Sequence, residues 1–77
     1  MAQQKSKNSQ MAFTKGWRQL STDEKVRFKF RIMYLLGLST YQGFWSRMVG
    51  LVEHSKADWD IINDEFHKYG IKDIWGE

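Results

Sequence analysis

The stretch Val26-Arg-Phe-Lys-Phe-Arg-Ile32 alternates strictly between apolar and basic side chains, and its reading decides the fold. Taken alone, a period of two is the mark of a half-buried strand. Wound on a helix, the same region has two apolar sides: Val26, Phe30 and Met33 on one, Phe28, Ile32, Leu35 and Leu36 on the other. Such a helix is expected to lie sandwiched between neighbours. The flanks favour helix. Upstream, Ser21-Thr-Asp-Glu24 fits a capping box, in which a hydroxyl and a carboxylate satisfy each other's backbone N–H groups. Downstream, Gly37 suits the left-handed residue that ends a helix.

The same punctuation recurs along the chain. Ser39-Thr-Tyr-Gln42 fits a second capping box and Ser55-Lys-Ala-Asp58 a weaker third, while Gly50 and Gly70 supply matching stops. Ile71 is placed for the apolar contact that accompanies such an ending. The spacing predicts helices over 22–36, 40–49 and 56–69. In the last, Trp59, Ile62, Phe66 and Tyr69 form one apolar stripe, and Asp58, Asp60, Asp64 and Glu65 occupy its other faces. Residues 1–15, rich in Gln, Lys, Ser and Asn, read as a flexible basic arm carrying Lys5, Lys7 and Lys15. Residues 16–77 read as the folded domain, with Phe13 and Trp17 marking where packing begins. The expected class is all-α, a small three-helix domain.

At 77 residues the chain is one domain of marginal size. It has no cysteine, so its stability must come from its four Trp, three Tyr and five Phe or from self-association. The polar residues 1–10 do not resemble a secretory signal. The longest apolar runs, such as 32–36, are far short of the roughly 20 residues that span a bilayer. A cytoplasmic protein with no membrane association is the expectation.

The net charge of +3 hides a strong segregation. Residues 1–50 hold nine Lys/Arg against two acids; residues 51–77 hold three against seven. No acid falls between Lys25 and Val52, a stretch that contains Lys25, Arg27, Lys29, Arg31 and Arg47. Solvated surfaces usually mix the two signs, whereas a one-signed stretch suits a polyanionic partner.

The corner Gly37-Leu38-Ser39 joins two short helices: one helix ends, Leu38 plugs the angle, and Ser39 caps the next. This resembles the helix-turn-helix of small bacterial and phage transcription regulators, loosely over residues 24–70 and closely at the corner. The resemblance implies duplex DNA as partner, with the second helix reading bases and a homodimer addressing two half-sites. On that helix Tyr41, Phe44, Trp45, Met48 and Val49 fall in one apolar sector. Thr40, Gln42, Gly43, Ser46 and Arg47 form the opposite face, which lacks the Glu and Lys of an ordinary exposed helix. Gln and Arg there suit base edges. Gly43 suits a close approach by either a groove wall or another helix. Ser39 and the first-turn N–H groups suit a phosphate. Lys25, Lys29, Arg27 and Arg31 suit backbone phosphates, but they project to two sides, so only one pair can face a given duplex.

Two other readings stay open. If 26–32 is a strand, the order resembles the ribbon-helix-helix repressors, with Arg27, Lys29 and Arg31 facing bases. Alternatively the chain is a protein-interaction module or inhibitor of a partner protein, with Ile61, Ile74 and Trp75 as its contact patch. Catalysis and metal binding find little support. His54 and His67 lack obvious partners, Asp58, Asp60 and Asp64 read as a charged helix face, and no phosphate loop, nucleophilic triad or small-molecule or cofactor motif occurs. The expectation is a non-enzyme without cofactor.

Overall fold

The computed structural model describes residues 10–77. Among them the order is α1 (Thr14–Trp17), α2 (Thr22–Leu36), α3 (Tyr41–Met48) and α4 (Lys56–His67), with no strand. The three longer helices are those expected, and α1 is an additional single turn. The alternating segment is therefore helical, and α2 packs against both α3 and α4.

Capping explains the starts. The Ser21–Glu24 box is complete, with Glu24 N–H donating to Ser21 Oγ at 3.2 Å and Ser21 N–H to Glu24 Oε1 at 2.8 Å. Ser55 Oγ accepts from Asp58 N–H at 3.1 Å. At α3 the cap falls one residue later than expected: Thr40 Oγ1, not Ser39, accepts from Gly43 N–H at 3.1 Å. The cause lies in the preceding turn. Leu38 N–H still donates to Met33 O at 2.8 Å, so residue 38 belongs to the closure of α2.

That closure is repeated at each stop. Leu38, Leu51 and Ile71 N–H donate to Met33, Ser46 and Phe66 O, while Gly37, Gly50 and Gly70 N–H donate to Tyr34, Arg47 and His67 O. This is the paired Schellman pattern, and it needs the left-handed φ of 68°, 89° and 75° that the three glycines adopt. Ile71 is buried after Gly70, as expected.

Four phenylalanines centre the core. Phe13 packs edge-on against Phe28, Phe44 and Phe66 with centroids 6.2, 6.0 and 5.8 Å away, an arrangement that favours the positive ring edge on the negative face. Ile32, Ile62, Ile71, Ile74, Leu20 and Met48 complete it. The expected boundary at residue 15 shifts accordingly. Residues 1–9, with Lys5 and Lys7, lie outside the described residues, but Ala12 and Phe13 are fully buried.

The segment 12–16 is fixed against the other end of the sequence. Gly76 N–H donates to Ala12 O at 2.8 Å, Lys15 N–H to Gly76 O at 3.1 Å and Gly16 N–H to Ile74 O at 3.1 Å. Gly16 is required by this approach: a Cβ there would lie 3.0 Å from the Phe66 ring and 3.2 Å from Ile74 Cα.

The two-sided pattern of α2 is only half used. Phe28 and Ile32 are buried, but Val26 and Phe30 are 48% and 50% exposed. That side is only partly covered: Met33 packs on the core and Phe30 meets Tyr41 of α3 edge-on at 6.2 Å, while Val26 and the outer half of Phe30 stay open. The expected contact patch is also corrected. Ile74 is core, Ile61 packs against the core, and Trp75 stacks on Trp59 at 5.3 Å while its Nε1 donates to Asn63 Oδ1.

Candidate nucleic-acid interface

The faces of α3 follow from Phe44 and Met48, one turn apart, which anchor it in the core. Tyr41, Gln42 and Trp45 are then exposed, with Ser39 and Thr40 in the preceding turn. Gly43, Ser46 and Arg47 are half-buried. The expected reading face is thus divided. Ser39, Thr40 and Gln42 stand together in solvent, but Arg47 turns to α4, where its Nη1 lies 3.1 Å from Asp58 Oδ2 and its side chain is 19% exposed. Tyr41 and Trp45, expected in the buried sector, are on the surface instead. The signal for this was the narrowness of the Phe44–Met48 stripe, too thin to bury four large residues on a two-turn helix.

Gly43 is decided on one point. A Cβ there would meet Thr40 Oγ1 at 3.5 Å and Leu38 Cδ2 at 3.9 Å, both ordinary contacts. Packing inside the chain does not require glycine at this position.

The basic residues of α2 divide as its helical geometry demands. Lys25 and Lys29 are on the α3 side. Lys29 Nζ lies 4.4 Å from the Tyr41 ring centroid and 5.3 Å from that of Phe30. Lys25 Nζ lies 5.8 Å from the Trp17 ring, and Trp17 meets Trp45 edge-on at 5.5 Å. Each ammonium is held near an aromatic face by the ring quadrupole. Arg27 and Arg31 project to the other side, toward Glu65 and Tyr69.

Four of the seven acids of the second half pair with cations. Asp58 pairs with Arg47, Asp60 with Lys56, Asp73 with Lys15, and Glu65 with both Lys68 and Arg31. Glu65, expected on a solvated face, is only 4% exposed, because these two cations come to it. Lys25, Arg27 and Lys29 have no ion pair among the described residues. Of these, Lys29 stands beside the exposed end of α3 through Tyr41.

Of the histidines, His67 is exposed. His54 Nε2 is 2.9 Å from Met11 O, and its buried Nδ1 has no partner. Burial holds its pKa below the usual 6.5, opposed by the Met11 hydrogen bond and Asp58 and reinforced by Arg47. Among the described residues no cluster of three or more His, Asp or Glu is arranged to hold a metal, and no helix is long and apolar enough to cross a membrane. No protein-family profile, curated protein or solved structure matches this chain.

Proposed function

We propose that the chain is a small DNA-binding regulator of helix-turn-helix type, with the N-terminal half of α3 in the major groove. Thr40 and Gln42 are its base-reading side chains, since a side-chain amide suits adenine N6 and N7. Ser39, Lys25 and Lys29 are its phosphate contacts, which position without reading sequence. The observation that carries the reading is the pairing pattern. Asp58, Asp60 and Glu65 of α4 are bound to cations, while Lys29 lies over Tyr41 beside the exposed Thr40–Gln42 turn and Lys25 lies near Trp17, neither with an ion pair among the described residues. Gly43, whose missing side chain serves no packing contact, keeps that turn open to a groove wall. Arg47 takes a supporting role, fixing α3 to α4 rather than touching a base.

The test is a selection from random duplexes followed by affinity measurement on the selected site and on random DNA. Gln42→Ala is expected to weaken the selected site by about 1–3 kcal/mol and random duplex much less. Lys29→Ala is expected to weaken both alike. Equal losses for Gln42→Ala on both duplexes would remove α3 as the reading element.

A further inference from the structure

The half-covered side of α2 forms one wall of an open groove of about 450 Å³. Val26, Phe30 and Tyr34 give it an apolar ridge, and Tyr69 stands opposite, just beyond α4. Tyr34 is 79% exposed, the most open of the large apolar and aromatic side chains. Arg27 and Arg31 line the same groove. Arg31 is engaged by Glu65, with Nε 3.6 Å from Oε2, whereas Arg27 has no acidic partner among the described residues. The sequence pattern of α2 calls for a neighbour here, and Tyr41 beside Phe30 supplies only part of one, leaving Val26, Phe30 and Tyr34 exposed.

We propose that this groove docks an acidic amphipathic helix of another protein, its apolar side chains seated on Val26, Phe30 and Tyr34 and a carboxylate on Arg27. Three considerations select that occupant. The ridge repeats every fourth residue, so it presents the groove of one helix to the ridge of another. The unpaired charge on the rim is Arg27, which a carboxylate complements, whereas the same face of a second copy offers only Glu65, already held by Arg31 and Lys68. Residues 1–9 are polar and carry Lys5 and Lys7, so they match neither the apolar floor nor the charge. The site borders the α3 side at Phe30, whose ring lies 5.3 Å from Lys29 Nζ and edge-on to Tyr41 at 6.2 Å, but its other residues lie toward α4, and it does not require that α3 reads DNA.

The experiment titrates the isotopically labelled full chain with a synthetic peptide bearing Leu and Phe at i, i+4 and i+7 with Glu between them, followed by amide shifts. Shifts confined to Val26, Phe30, Tyr34 and Tyr69 are expected. The same peptide with Lys for Glu is expected to bind at least about tenfold more weakly, and Arg27→Glu to invert that order. Phe30→Ala, with its melting temperature measured as a check on folding, is expected to abolish the shifts. Equal binding of the two peptides, no binding of either, or shifts centred on Gln42 would overturn the proposal. So would movement of the groove residues on raising protein concentration alone, which would assign the face to a second copy. Duplex DNA shifting these residues more than Gln42 would overturn it in favour of a nucleic-acid contact.

Discussion

Arg47 and Asp58 are joined by a 3.1 Å ion pair that ties the last turn of α3 to the first turn of α4. Each side chain is mostly shielded from solvent, so the pair is screened less than a surface one. Asp58 also sits where the N-terminal dipole of α4 favours an anion. We expect Arg47→Ala to lower stability by about 1–2 kcal/mol, since it strips a charge-assisted hydrogen bond from a partly buried carboxylate. In a double-mutant cycle with Asp58→Asn the coupling is expected near 1 kcal/mol. Thermal unfolding reads both. Additive losses would show that the pair contributes nothing of its own.

Gly16 and Gly43 are expected to respond oppositely to alanine. At Gly16 the added methyl is driven into Phe66 and the Ile74 backbone, and a loss of about 1–3 kcal/mol follows from overpacking. At Gly43 the methyl finds room, and a gain of up to about 1 kcal/mol follows from helix propensity. Denaturant midpoints at constant m-value give the comparison. A stabilised Gly43→Ala protein that binds duplex less well would separate the role of this glycine in binding from its role in folding.

Stability is expected to fall on mild acidification. His54 is held below its ordinary pKa of 6.5, chiefly by burial, so the unfolded chain takes up this proton at higher pH than the folded one. Its contribution is present above pH 6.5 and is lost as pH falls through the folded pKa. The melting temperature measured from pH 7.5 down to 5.5 is expected to decline, and His54→Gln is expected to flatten that decline. An unchanged slope in the variant would move the titration to another group.

Duplex affinity is expected to depend on salt. With Lys25 and Lys29 each neutralising a phosphate, log affinity against log salt has a slope of about −1.8. Removing Lys29 is expected to reduce that slope by about 0.9, and Gln42→Ala to leave it unchanged. A slope near zero would show that the segregated charge does not serve nucleic acid.

The helices were legible because their ends are local chemistry. Hydroxyls at Ser21 and Ser55, and glycines at 37, 50 and 70, act on backbone groups within a few residues. The one-residue error at Ser39 arose where two local motifs compete for adjacent positions, since Leu38 belongs to the ending of α2. What sequence could not show depends on distant partners. Phe13 sits in a polar stretch, and only its contacts with Phe28, Phe44 and Phe66 make it central. Ile74 and Trp75 looked spare for the same reason. The polar face of α3 was read from residue types, but Arg47 is diverted by an acid on another helix. The strand-like alternation at 26–32 was a true signal of a different fact, a helix with one apolar side only half covered.

The bonds from Ala12, Lys15 and Gly16 to Ile74 and Gly76 join residues nearly a whole sequence apart. Phe13, the ring on which the core closes, is held in place partly by Trp75, more than three quarters of the described chain further on. The caps and closures of the three longer helices are local, but helices this short are marginal alone and draw their stability from packing. Their common interior cannot be sealed until residues 74–76 reach residues 12–16. A nascent chain that still lacks residues 74–76 therefore has an open aromatic centre, and its helices gain their mutual support only when that segment arrives.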